Sequence, residues 1–427
     1  MTQMFDRRGL LAALSASGAS IALPAFAQRG GAAPALPVVQ SVPAAGPGTV
    51  GMAPDLTARL SALIDRHIAA GDITGAVTAV ARKNRLVHFT GHGMLDREAG
   101  KAMPTDGLFV MMSSTKPVTG VALLQQMEEG KVRLEDPVSK FIPELANMKV
   151  RKAGAPAPGR GGTIDPSTLE PANRQITIKD LATHTSGLNG GPRAPAGTPN
   201  TLAARIPWLK DTPLDFQPGT RWAYSATTGP DVLARVIEIT SGIPYDRYLR
   251  ERIFQPVGMK DTGHNLTAEQ AARVVPRYVK TDGAWRRAPA NPAAQTTFFA
   301  GSYGLSSTAH DYLLFETMLL NKGTIHGRRV LRPESVELMR SNLIGDLYKG
   351  IGGTTQGTGF GIQVRTVLDP ATCGCGRAKG GFGWGGAYGT MTWTDPVNEL
   401  VGVLMIQQSV SAVQSGFEKA VQAAIVA

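Results

Sequence analysis

Cysteine is nearly absent from this 427-residue sequence: Cys373 and Cys375 are the only two, in a Cys-Gly-Cys-Gly turn. Two cysteines cannot make a disulfide framework, so the pair is either a short-range bridge or two loop thiols. The seven histidines are dispersed and no His-Glu-x-x-His occurs, which argues against a catalytic metal. His88 and His92 share one face of a strand, a weak signal by itself. The sequence has no G-x-x-x-x-G-K-S/T phosphate loop and no G-x-S-x-G nucleophile elbow, so neither a P-loop enzyme nor an α/β-hydrolase is indicated. No cofactor is expected. Basic residues are scattered, without a Lys/Arg stripe interleaved with aromatics, and no internal repeat is present. The formal net charge of +11 therefore reads as a generally basic surface and not as a nucleic-acid footprint.

What is present is a chain with ample apolar residues for a large core, 42% of the total, and too many for a disordered segment. One stretch alone has the look of a membrane span, and it reads as an export signal. Arg7 and Arg8 precede a mild apolar run from Gly9 to Ala25, and Ala25-Phe26-Ala27 supplies an A-x-A cleavage site over residues 1–27. The paired arginines favour the twin-arginine route, hence a periplasmic or secreted protein folded before export, with no stable membrane insertion afterwards. Removing Arg7, Arg8 and Asp6 takes +1 from +11 and leaves +10 on the mature chain. Residues 28–53 are rich in Ala, Pro and Gly and read as a flexible linker, with order expected from Pro54.

Beyond the linker, Leu56, Leu60, Leu63, Ile64 and Ile68 recur at helical spacing. Runs at Gly75 to Ala81 and Arg85 to Phe89, joined by Arg82-Lys83-Asn84, read as a hairpin. A helix with one buried face is expected from Thr115, ending at Gly130. The Gly/Pro-rich residues 152–171 read as a mobile insertion. Helical patterns dominate the middle, at Thr177 to Thr183, Pro230 to Ser241 and Tyr245 to Phe254. Strands are expected at Tyr388 to Trp393 and Glu399 to Gln407, and a final helix from Val413 to Ile425. The fold class is α/β (α+β): an antiparallel sheet from residues 54–112 and 290–427, flanked by helices, with a mostly helical region over about 113–289. A site belongs in the cleft between the two parts.

Three segments carry the chemistry. In Ser113-Ser114-Thr115-Lys116, Ser113 and Lys116 lie one helical turn apart, within side-chain reach. A neutral, desolvated lysine can take the hydroxyl proton that makes serine a nucleophile. Ser114 has Pro117 at the same offset and therefore no base. In Trp222-Ala223-Tyr224-Ser225-Ala226, the Tyr224 phenol can share a proton with the lysine; a core tyrosine is the structural alternative. In Trp384-Gly385-Gly386-Ala387-Tyr388-Gly389-Thr390, glycines let backbone approach closely enough for an N–H to complete an oxyanion hole.

The order and spacing of these segments resemble the superfamily of serine β-lactamases, penicillin-binding proteins and esterases. The resemblance extends to Ile176-Thr177-Ile178-Lys179-Asp180-Leu181-Ala182-Thr183-His184-Thr185-Ser186-Gly187-Leu188, to Pro256-Val257-Gly258-Met259-Lys260-Asp261-Thr262 and to Gly304-Leu305-Ser306-Ser307-Thr308-Ala309-His310-Asp311-Tyr312. It implies a β-lactamase-like fold and an acyl-enzyme on Ser113, with Lys116 and Tyr224 as coupled base. Backbone N–H groups of Ser113 and Ala387 are then the oxyanion hole, and Trp384, Gly385 and Gly386 line the substrate pocket. His184 and Thr185 are implied to be a buried, hydrogen-bonded turn. Two departures point to the carboxylesterase branch: Ala226 replaces the asparagine of Tyr-x-Asn, and Trp384-Gly385-Gly386 replaces Lys-Thr-Gly. A small-molecule ester is the expected substrate. A β-lactamase, D-amino-acid peptidase or acyltransferase of the same fold is the nearest rival, and a non-catalytic binder of cell-wall fragments the rival of another class.

Overall fold

The computed structural model describes residues 41–155, 162–288, 295–351 and 355–426. The expected export signal and the first part of the linker lie outside these residues. The described residues belong to one compact unit, Gln40–Ala427.

Leu56, Leu60 and Ile64 form the buried stripe of helix α1 (Leu56–Ala69). Strands β1 (Gly75–Arg82) and β2 (Arg85–Asp96) pair antiparallel through Lys83 and Asn84. Both turn residues have positive φ, 49° and 58°, as a tight two-residue hairpin turn requires. A short β3 (Lys101–Ala102) follows. Helices α2 (Thr115–Glu128), α3 (Thr228–Ser241) and α4 (Ala309–Leu320) come next. The chain then returns to the sheet as β4 (Thr358–Phe360), β5 (Arg365–Val367), β6 (Phe382–Gly385), β7 (Met391–Asp395) and β8 (Leu400–Met405). Helix α5 (Ser411–Ala423) closes the order.

The eight strands form one sheet in the order β4-β5-β6-β7-β8-β1-β2-β3, antiparallel throughout. The early hairpin is joined to the late strands by β1 on β8, with Val77 opposite Met405. Every residue of β1 is buried, because both sheet faces are covered. Ala76 and Val80 pack in an outer layer with α1, α5 and Trp393. Val77, Ala79 and Ala81 pack inward, in the larger core that also holds α2, α3 and α4.

Five expectations change. Order begins before Pro54: Val42, Val50, Met52 and Ala53 are buried, and Met52 bridges Ile425. Apolar side chains spaced among the Pro and Gly residues give this segment something to bury, which composition alone conceals. The 152–171 stretch begins and ends in structure, since Lys149–Arg151 pairs with Leu169–Pro171; residues 156–161 are outside the description. Helix α2 is buried from Thr115 through Gln126 and not on one face, because it runs through the middle of the inner core. The Gly-rich run from Trp384 ends one strand and turns into the next, so the expected strand from Tyr388 begins only at Met391. The second hairpin strand runs to Asp96, well past the expected Phe89; the other α-helices and strands singled out in the sequence appear within a few residues of the expected bounds, although Arg250–Phe254 is a π-helical turn.

Candidate active site

Ser113 sits on a 3-10 turn, Met112–Ser114, that leads directly into α2. The residue before it, Met112, has φ 47°, a left-handed conformation that costs a non-glycine residue on the order of 1 kcal/mol or more. That turn is held by Phe109–Val110, which pairs with Ser306–Ser307, and by Met111 N–H donating to Leu305 O. Ser114 is fully buried with its hydroxyl 2.9 Å from Thr390 Oγ1, so it is structural. Ser113 is half-buried and faces the cleft.

Lys116 is among the largest fully buried side chains of the protein. Its Nζ lies 3.1 Å from Ser113 Oγ, 2.7 Å from Ala226 O and 3.0 Å from Ser302 O. A neutral amine has two N–H donors and one lone pair. The two carbonyls can only accept, so they take both donors and leave the lone pair on the Ser113 hydroxyl. That is the geometry of a general base. Burial pushes the Lys116 pKa down to about 7, against an upward pull from the Asp231 carboxylate.

The Tyr224 ring lies 5.0 Å from Lys116 Nζ. Its hydroxyl accepts a hydrogen bond from Trp384 Nε1 at 3.3 Å. Burial raises the Tyr224 pKa, while the Ser113 hydroxyl and the Trp384 indole facing it pull the other way. The ring is walled in by aromatics, with His184 at 5.0 Å, Trp384 at 5.5 Å and Trp222 at 6.2 Å between centroids. Phe360 stands 5.3 Å from Trp384, and Tyr348 stands 4.8 Å from Trp222. Trp384 is therefore both an aromatic neighbour of the phenol and a donor to it.

The turn at Gly386 explains the glycines. A Cβ at Gly386 would fall 2.2 Å from Met111 O, so the close approach is to the chain just ahead of Ser113. In sheet order β6 is interior, yet β5 pairs only with Phe382 and Gly383, leaving Trp384 and Gly385 bonded to β7 alone. The strand is thus locally an edge that opens on the cleft. Among the described residues neither Ser113 N–H nor Ala387 N–H has a hydrogen-bond acceptor. Both are free to face an oxyanion.

The structure brings Ser113, Lys116 and Tyr224 together, sets Trp384 against Tyr224, and places Gly386 on the turn packed against the serine segment, with Gly385 before it and Ala387 after it. His184 and Thr185 form the expected buried, hydrogen-bonded turn: His184 O accepts from Ala223 N–H, and Thr185 is hydrogen-bonded to Asp180. Among the described residues both ring nitrogens of His184 are buried without a partner. The ring acts as an apolar wall, with its pKa held well below the ordinary value by burial and by Lys116. Sequence reasoning missed Asp231, Ser302, Tyr348 and Phe360. Asp231, in the first turn of α3, resembles a helix-start acid, and nothing in its spacing ties it to Lys116.

Cys373 and Cys375 are bridged. Among the described residues no group of three His, Cys, Asp or Glu is placed to hold a metal ion, and no helix is long and apolar enough to cross a membrane.

The chain has relatives over most of its length. "Protein Rv1367c" of Mycobacterium tuberculosis is 37% identical over 358 residues, covering 79% of this chain and 86% of that protein. "Esterase EstB" of Burkholderia gladioli is 28% identical over 379 residues, covering 80% and 88%. Among solved structures, "EstCE1, a hydrolase with promiscuous acyltransferase activity" superposes with a TM-score of 0.69 at 24% identity, covering 87% of this chain and 99% of that one. The model of the Beta-lactamase family matches residues 60–427, and the chain is a member of that family, with its serine-hydrolase fold.

Proposed function

We propose that the protein is a carboxylesterase that works through an acyl-enzyme on Ser113. The observation that carries this reading is the Lys116 amine, fixed by two carbonyls with its third position on Ser113 Oγ at 3.1 Å. In acylation the Ser113 oxygen bonds to the ester carbonyl carbon while its proton passes to Lys116. The carbonyl oxygen becomes an oxyanion held by the N–H groups of Ser113 and Ala387, each such donor contributing roughly 3 kcal/mol. Collapse breaks the bond to the alcohol, which takes a proton relayed through Tyr224. Water then adds to the acyl carbonyl, giving one proton to the same Lys116–Tyr224 pair, and collapse breaks the bond to Ser113 Oγ, which takes that proton back as the carboxylic acid leaves. The first proton acceptor and the relay form one coupled unit.

Ester cleavage is favoured over lactam cleavage by two features of the site. Ala226 meets Lys116 through its backbone carbonyl and offers no side-chain amide to a substrate. Trp384 places an indole, not a cation, where a lactam carboxylate would arrive. A relative named as an esterase over four-fifths of this chain agrees with this choice. Hydrolysis of p-nitrophenyl butyrate and of nitrocefin, measured side by side in the wild type and in Ser113→Ala, tests the reading. Ester turnover well above nitrocefin turnover is expected, with both lost in the variant. Ester activity that survives in Ser113→Ala means that the nucleophile is another residue.

A further inference from the structure

We infer that Asp231 is a positioning residue for Lys116, aiming its amine through Ser302 and supplying the counter-charge for the ammonium that forms when Ser113 gives up its proton. The inference rests on the Ser113–Lys116 reading above and adds a third member to it. Asp231 is buried in the first turn of α3, where the helix N-terminus favours a carboxylate. Its Oδ1 accepts Ser302 N–H at 3.0 Å and Ser302 Oγ–H at 2.6 Å. The carbonyl of that same Ser302 accepts from Lys116 Nζ at 3.0 Å. One carboxylate thus clamps the residue that orients the base.

The approach is tight by construction. A Cβ at position 301 would fall 2.4 Å from Pro230 O, so only glycine lets the 301–302 segment lie against α3. Gly301 O in turn accepts from Thr119 Oγ1 at 2.6 Å, one helical turn beyond Lys116. The segment is therefore held between the helix that carries the base and the helix that carries the acid.

Asp231 is the one carboxylate whose charge bears on Lys116 among the described residues. The other groups around the amine are Tyr224 from the 222–226 segment and His184 from the loop before it, both neutral near pH 7, and the Ala226 and Ser302 carbonyls. Tyr245 and Tyr303 face Asp231 and are also uncharged there. When Ser113 attacks, its proton goes to Lys116 and a buried ammonium appears. Burial pushes the Asp231 pKa up to about 7, against the Ser302 donors and Lys116, which pull it down; its ionised form compensates the new ammonium, and no proton passes between the two side chains, because no hydrogen bond joins them. The role parallels that of an aspartate behind a catalytic histidine.

The test is the pH profile of Asp231→Asn, which keeps the shape and the acceptor oxygen for Ser302. Loss of the negative charge removes the upward pull on Lys116, so the acid limb of kcat/KM moves to lower pH, by about one unit. The plateau falls by about 10²-fold, since a weaker base accepts the proton less readily. The rate of Ser113 labelling by a fluorophosphonate follows the same limb and needs no ester. A failed ester assay with a shifted labelling limb therefore counts against the carboxylesterase reading and not against Asp231. A folded Asp231→Asn protein whose limb does not move overturns the inference, since a merely structural aspartate changes stability or plateau alone. If that variant does not fold, Ser302→Ala serves: losing one donor raises the Asp231 pKa further, so less of the carboxylate is ionised near pH 7 and a smaller shift in the same direction is expected. An unmoved limb there also overturns it.

Discussion

Two clusters of buried polar side chains flank the sheet, and they differ in how their hydrogen bonds close. On the outer face, between α1 and the β1–β2 hairpin, lie the buried Thr78, His88 and His92, with the exposed Thr57 and Asp65 at the two ends. His88 Nδ1 is 3.1 Å from Thr57 Oγ1, and His88 Nε2 is 2.7 Å from Thr78 Oγ1. Thr78 Oγ1 is 2.9 Å from His92 Nε2, and His92 Nδ1 faces Asp65 at 3.6 Å. Thr78 has one proton to give, so it donates to one imidazole and accepts from the other. Each ring nitrogen of the pair has a polar partner or neighbour, and in that sense the network is closed.

On the inner face the network is open. Lys116 shares its third position with the half-exposed Ser113, and both ring nitrogens of His184 lack partners. A closed network of buried polar groups rigidifies a fold. An open one keeps a spare valence at the cleft, and that valence is the reactive one.

The sharpest way to break the comparison is Lys116→Met. It fills the same volume and removes the spare valence, so kcat/KM falls on the order of 10³-fold or more in ester hydrolysis. Thermal unfolding changes far less than activity, because the relief of burying an amine offsets the loss of the donor to the Ala226 and Ser302 carbonyls. A fall of less than tenfold contradicts an active role for the lysine. Next in size is Gly386→Ala. Its Cβ meets Met111 O at 2.2 Å and displaces the turn that carries Ala387 N–H, lowering kcat by about 10²-fold with KM little changed. Steady-state kinetics on a chromogenic ester decides it. The smallest effect on catalysis comes from Thr78→Val on the outer face: kcat is unchanged while denaturant unfolding loses about 1–3 kcal/mol. In the wild type the same cluster makes stability depend on pH. Burial, with His92 adding to it, lowers the His88 pKa from 6.5 to about 4. The unfolded chain takes up protons that the folded chain refuses, so stability falls as pH drops from 6.5 towards 4, and denaturant midpoints at pH 7 and 5 reveal it.

Much of the inner site was legible before the structure, because Ser113, Lys116, Tyr224 and Trp384 sit in short segments whose internal spacing has chemical meaning. Helical spacing alone puts Lys116 beside Ser113. The rest was not legible, for a physical reason. Asp231 and Ser302 are 71 residues apart in sequence and meet only because α3 and the 301–302 segment are packed together. Ala226 and Ser302 contribute backbone carbonyls, which carry no signature of residue type. The outer cluster hid in the same way: His88 and His92 stood out as sharing a strand face, but their partners Thr57 and Asp65 lie on a helix. In the segment before Pro54, composition suggested slack chain, yet Val42, Val50 and Met52 were enough to seal it against the body.

The pairing of β1 with β8 sets the order in which a newly made copy can become active. Val77 cannot find Met405 until the ribosome has released the residues that form β8. Until then the sheet lacks its central seam, Ala387 has no β7–β8 support beneath it, and the lysine on α2 has no dry interior to lower its pKa. On the proposed mechanism, the nascent chain therefore carries Ser113 through most of synthesis as an ordinary hydroxyl, and a reactive serine arrives only when the late strands close the sheet.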